Sequence, residues 1–174
     1  MADLGYTHYG IAHNTTTPGR AGIIIFARCK FTYTTTVSET EFTNLGRILI
    51  ADFGDFIMTS TYSPCLNLPL SNADSRQRYD NMLQKIAQGF EQEGKPHLMI
   101  RDFNVARSND DIIAPFTREK NAASIGNFPS TTDTERKSLE SLLEIGNLVD
   151  TWKVEHDSQP KTQAEKGQAG WDAY

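Results

Sequence analysis

A short apolar run, Leu98-Met99-Ile100, is followed two positions on by an acid, Asp102, and two positions later by an amide, Asn104. A buried strand that ends this way delivers two oxygen-bearing side chains to the rim of a site. An aspartate can take or orient a proton from water. An asparagine can fix that water, or bind a metal through its carbonyl oxygen. Hard divalent cations favour such donors, and they promote phosphodiester hydrolysis by neutralising charge on the phosphoryl oxygens. Asp-x-Asn is also a common turn whose side chains bond nearby backbone, so the pair alone does not decide. Tyr62, just before Ser63-Pro64, is a second candidate. A tyrosine at a strand end more often packs than reacts.

The elements that must position these residues can be read from periodicity. Residues 22–27 and 95–100 read as strands, the latter leaving Asp102 and Asn104 just past its end. Residues 47–53 and 56–62 read as two more, joined at Gly54-Asp55 by a tight hairpin. From Ser75 to Phe90 the residues Tyr79, Met82, Leu83, Ile86 and Phe90 recur at helical spacing, predicting one buried helix face. Thr132 with Glu135 forms a capping-box pattern opening a second helix, with Leu139, Leu142 and Leu143 inward and Gly146 as its C-cap. Residues 148–152 read as a further strand. The stretch 107–131 is long, polar and aperiodic, which in a compact domain points to function or disorder. Interleaved strands and helices predict an α/β (α+β) class with mixed sheet pairing.

The chain has 174 residues, a net charge of −5 and a hydrophobic content of 38%. That balance suits a globular core and argues against a basic protein that coats nucleic acid. It leaves room for a DNA enzyme, which needs only a local basic face. No apolar run approaches the length of a membrane span, and no secretory signal is read at the N-terminus. The two cysteines, Cys29 and Cys65, form no metal spacing and no disulfide framework. The expected location is intracellular, nuclear or cytoplasmic.

Several segments in collinear order carry a resemblance. Arg101-Asp102-Phe103-Asn104 resembles the Gly-Asp-Leu/Phe-Asn signature of the endonuclease/exonuclease/phosphatase superfamily, and Asn104-Val105-Ala106 extends it as in the exonuclease III branch, the abasic-site (AP) DNA endonucleases. Gly46-Arg47-Ile48, continuing to Ala51-Asp52-Phe53, resembles that family's Gly-Arg-Val-x-x-Ala-Glu-Phe strand. Tyr62-Ser63-Pro64 resembles its Tyr-x-Pro-Asn, with Cys65 where the Asn stands. Arg76 to Asp80, Lys120-Asn121-Ala122, Thr134-Glu135-Arg136 and Leu148 to Trp152 match further segments.

The resemblance implies a four-layer α/β sandwich with two mixed sheets and outer helices. It implies a DNA-repair nuclease of base excision repair, hydrolysing the phosphodiester 5′ to an abasic site in duplex DNA with Mg²⁺ or Mn²⁺. In this reading Asp102 activates water, Asn104 holds water or metal, and Tyr62 stabilises the phosphate. Asp102 and Asn104 are the implied metal ligands, while Lys120, Asn121 and Arg20 touch DNA. Residues 1–157 are expected to form a partial domain of this type, and 158–174 a loose polar tail. The family's Leu-Gln-Glu-Thr motif and its Asp-His pair have no counterpart here, so the chain is expected to be truncated at both ends. The alternative is an inert fragment or paralogue lacking the metal-binding Glu and the catalytic Asp-His, at most a DNA-binding module. The two readings are compatible, and this chain alone is expected to be inactive even as a member of the family. Another phosphoesterase of the superfamily is a third reading. Arg101 replaces a glycine, which raises the expectations of an unusual backbone angle and of a cation holding Asp102 ionised. Unpaired sheet edges and uncovered apolar surface are expected to make the chain aggregation-prone.

Overall fold

The computed structural model describes residues 2–66, 70–111 and 128–157. Its elements are β1 (His8–His13), β2 (Gly22–Ala27), β3 (Thr32–Thr34), α1 (Thr40–Thr43), β4 (Ile48–Asp52), β5 (Ile57–Tyr62), α2 (Ala73–Gln92), β6 (His97–Asp102), α3 (Asp133–Ile145) and α4 (Thr151–Asp157). Strands β1 and β2 form one antiparallel sheet. The other runs in the order β3-β4-β5-β6, antiparallel except for the parallel β5–β6 pair. The expected mixed α/β class with two sheets is what the chain adopts. Two compact units divide it, residues 1–64 with 82–103 and residues 65–81 with 104–174.

Both sheets belong to the first unit. Side chains alternate across each strand, and the register sorts them. Leu49 and Ala51 of β4 share a face with Met58 of β5, and there they meet Ala12 and Ile25 of the small sheet, with Ile23, Phe31 and Phe53 around them. The opposite face buries Ile48, Ile57, Thr59 and Thr61. Phe90, late in α2, stacks at a tilt on His97 with ring centroids 4.9 Å apart. The hairpin expected at Gly54-Asp55 is present: Phe53 donates to Phe56 across it, and the Asp52 carboxylate accepts from Gly54 N–H and Lys95.

His97 opens β6, half-buried, with Nε2 2.8 Å from Thr59 Oγ1. Burial lowers its pKa below the ordinary 6.5. Its folded form therefore binds fewer protons than the unfolded chain between those two values, so stability falls as pH drops through about 6.5 and levels off below the folded value. Asp52, held below 3.8 chiefly by its hydrogen bond from Lys95, adds acid loss only lower down. A plot of melting temperature against pH should be flat at neutrality and bend downward near pH 6, and His97→Gln should remove that bend. Superimposable acid limbs would show that His97 is not its cause.

The outer face of the small sheet is apolar and open. Tyr9 pairs with Phe26 and Ile11 with Ile24, and the four are 65%, 37%, 43% and 48% exposed. Leu98 and Ile100 are likewise exposed on β6, the edge strand of the larger sheet among the described residues. Contiguous apolar surface of this kind drives association. The pair Ile11→Lys with Ile24→Glu, opposite charges on facing positions, should lower concentration-dependent light scattering without moving the melt. Unchanged scattering would locate the association elsewhere.

In the second unit α3 begins at the expected capping box. Thr132 Oγ1 accepts from Glu135 N–H at 3.2 Å, and the Glu135 carboxylate accepts from Thr132 N–H. Leu139 and Leu142 are buried, Leu143 partly so, and Gly146 is the C-cap. Residues 148–150 are not a strand as expected. They are irregular and lead into α4, where Asp150 Oδ1 accepts from Lys153 N–H like an N-terminal cap. Strands β1 and β3 had no clear period in the sequence: β1 is interrupted by Gly10 and flanked by histidines, and β3 is three residues long.

Candidate functional site

The site is built at one end of the larger sheet. Tyr62 ends β5, Asp102 ends β6, and the two are register partners. Register partners on neighbouring strands point to the same face, so the phenol and the carboxylate stand side by side. The amide of Ser63 donates to the Asp102 carbonyl at 3.1 Å, pinning the two strand ends together. Asp102 is therefore the last strand residue rather than one just past it, and its side chain is exposed.

On the other side of Tyr62 lies Arg47. Tyr62 N–H donates to Arg47 O at 2.9 Å, and Arg47 Nη1 donates back to Tyr62 O at 3.1 Å. The Arg47 guanidinium sits over the Tyr62 ring, 4.7 Å from its centroid. A cation in that position is attracted by the ring face and limits the ring's rotation. The result is a row of cation, phenol and carboxylate, with Arg47 just before β4, Tyr62 ending β5 and Asp102 ending β6. The segment Gly46-Arg47-Ile48 by itself assigns Arg47 no role. The hairpin could have supplied one, because a turn centred on Gly54-Asp55 makes 47 and 62 cross-strand partners.

Arg101 lies on the opposite face of β6 from Asp102. Its guanidinium is 4.0 Å from the Phe103 ring centroid and donates to Ser63 Oγ. Its φ is not positive, unlike that of Asn104 at +45°. The unusual backbone angle expected at position 101 thus occurs three residues later.

Asn104 belongs to the second unit. It is buried, and its carbonyl accepts from Arg76 Nη1 at 3.4 Å. Arg20 is exposed in the turn after β1. That turn is organised by Asn14, whose Oδ1 accepts from Thr16 N–H, Thr16 Oγ1 and Thr17 N–H. Lys120 and Asn121 lie outside the described residues. Cys65, in the place of the family's Asn, is exposed, and its carbonyl accepts from Asn72 Nδ2 at 2.9 Å.

The donors at the sheet end fit a hard cation in kind. Mg²⁺ is commonly held through one or two carboxylates, with waters and substrate phosphate completing its shell, and Asp102 presents such a carboxylate. No three His, Cys, Asp or Glu side chains cluster as a closed metal cage would among the described residues.

No family model matches the chain. It is 32% identical over 114 residues to a DNA-(apurinic or apyrimidinic site) endonuclease of Plasmodium falciparum, covering 62% of this chain and 18% of that one. It is 29% identical over 116 residues to an exodeoxyribonuclease of Streptococcus pneumoniae, covering 67% and 39%. Over the part they share, this chain is similar in sequence to AP endonucleases and exodeoxyribonucleases. The fold agrees. An AP endonuclease from Archaeoglobus fulgidus superposes with a TM-score of 0.74 at 18% identity, covering 98% of this chain and 65% of that one. A 3′-5′ exonuclease from Neisseria meningitidis gives 0.70 at 16%, covering 92% and 59%. The chain spans well under half the length of these two sequence relatives, 18% and 39%. No helix among its described residues is long and apolar enough to cross a membrane.

Proposed function

We propose that this chain carries the phosphate-binding end of a DNA-repair phosphodiesterase that hydrolyses the bond 5′ to an abasic site in duplex DNA. The observation that supports this most is the row Arg47, Tyr62 and Asp102 in a chain related to AP endonucleases. Each group suits one demand of the reaction. The Asp102 carboxylate accepts a proton from the attacking water or orients it. The Tyr62 hydroxyl donates to a non-bridging phosphoryl oxygen. Arg47, held against the ring, brings positive charge to the same phosphate. Asn104 orients water through its amide. Lys120, Asn121 and Arg20 would contact the DNA backbone, giving affinity that falls steeply with salt. A divalent ion, Mg²⁺ or Mn²⁺, would be held by Asp102 with Asn104 and would supply charge neutralisation on the phosphoryl oxygens. A DNA substrate accords with a nuclear or cytoplasmic location.

The substrate class is tested by offering the protein, with Mg²⁺, an abasic-site duplex, an undamaged duplex, a phosphoinositide and sphingomyelin. Cleavage of the abasic duplex alone is the expected result. Turnover of either lipid in preference to DNA would move the chain to another branch of the superfamily. Binding of the duplex without cleavage at any metal concentration would favour a DNA-binding module.

A further inference from the structure

We propose that Arg76 and Glu135 are positioning residues that set the conformation of Asn104, an inference that rests on the phosphodiesterase reading above. Asn104 has a φ of +45°, in the left-handed region, which asparagine enters more readily than other non-glycine residues but still at a cost that its surroundings offset. Arg76 supplies the hold: it is 3% exposed, and its Nη1 bridges the Asn104 carbonyl and Glu135 Oε1, each at 3.4 Å. Its Nε donates to Asp80 Oδ2 at 2.9 Å, one turn along the same helix. Glu135, 2% exposed, is fixed in turn. Its Oε1 also accepts from Ser130 N–H at 3.1 Å, and its Oε2 accepts from Thr132 N–H and Oγ1 at 3.2 and 2.8 Å.

The segment after Asn104 is clamped from the same side. Ala106 N–H donates to Ser130 O at 2.6 Å, and Ala106 O accepts from Arg136 Nε at 3.0 Å. One carboxylate therefore orders both the start of α3 and the arginine that grips Asn104. A helix cap needs only Thr132 and Glu135, so the cap does not account for Arg76. A buried arginine between two carboxylates is also a costly way to fill an interior, where apolar residues of similar volume often do as well. The fork geometry of guanidinium is what lets one side chain reach a carbonyl and two carboxylates at once, and a lysine cannot reproduce it.

The test uses Arg76→Lys and Glu135→Gln in the full chain. Hydrogen exchange is read by mass spectrometry over residues 103–107, and kcat and KM are measured on an abasic duplex with Mg²⁺. Exchange at Asn104 to Ala106 should quicken by about tenfold or more in both variants while the strand peptides keep their protection. kcat should fall by about 10- to 100-fold with KM nearly unchanged, as expected for a misplaced group. Unchanged exchange in that segment, or losses in kcat that follow the melting temperature, would overturn the inference. If Arg76→Lys does not fold, Glu135→Gln decides, because its amide oxygen can still accept from Thr132. A wild-type chain that turns over no DNA would refute the proposed function, and the exchange result would still decide whether Asn104 is held this way.

Discussion

Asp102→Asn should lower cleavage of an abasic duplex by about 10³-fold or more while leaving the fold intact, the usual scale for losing a general base or a metal-binding carboxylate. The substitution keeps the shape and one acceptor oxygen but removes the charge, and with it the ability to take a proton from water. The folded state should tolerate it, because the Asp102 side chain is exposed and its strand is fixed through the backbone. Ser63 N–H binds the Asp102 carbonyl, which the change does not touch. The measurement is kcat/KM beside a thermal melt. A loss under tenfold with an unchanged melt would mean that the carboxylate is a bystander.

Gly46→Ala should lower stability by about 2–4 kcal/mol, within the range of strain at a special backbone angle combined with overpacking. Gly46 has a φ of +64°, and a Cβ there would lie 2.5 Å from Asn14 N and 2.5 Å from the His13 carbonyl carbon. Both are backbone atoms, so no side-chain rotation relieves the contact. Residues 14 and 45 form an isolated bridge at this point, and Thr15 N–H donates to Asn44 O at 3.0 Å. The turn bearing Arg20 is thereby tied to the segment that leads into Arg47. For a chain of this length the expected fall in melting temperature is about 5–15 °C. Gly54→Ala is the control, with a φ of +90° and nothing within 4 Å of the added carbon. It should cost only the conformational part, about 1–2 kcal/mol. Equal melts for the two variants would show that the close approach at Gly46 carries no energy.

The sequence foretold the elements that local pattern controls. The strand that leads to Asp102, though read two residues too short, the helix through Tyr79 and Met82 and the box at Thr132 each announce themselves within a few residues, because periodicity and capping are local. The Gly54-Asp55 turn went further, since a tight hairpin fixes which residues face each other. Partnerships set by tertiary packing were not legible. Glu135 reads as a capping residue, and nothing near it in the chain says that its carboxylate also holds an arginine 59 positions away. The irregular segment 148–150 carried the β-prone pattern of a strand yet pairs with none of the described strands, and Asp150 instead starts a helix. The outward face of β1 and β2 misleads for the opposite reason. Tyr9, Ile11, Ile24 and Phe26 have the composition of a buried layer but are exposed.

The most direct test is to map the ends produced when a duplex with a single abasic site, labelled on the damaged strand, is incubated with excess protein and Mg²⁺ and the reaction is stopped with a chelator. The expected product is one nick immediately 5′ to the abasic residue, leaving a 3′-hydroxyl, formed by the wild type and absent with Asp102→Asn. An intact strand at saturating protein, or a nick that Asp102→Asn makes equally well, would contradict the role given to the row of Arg47, Tyr62 and Asp102.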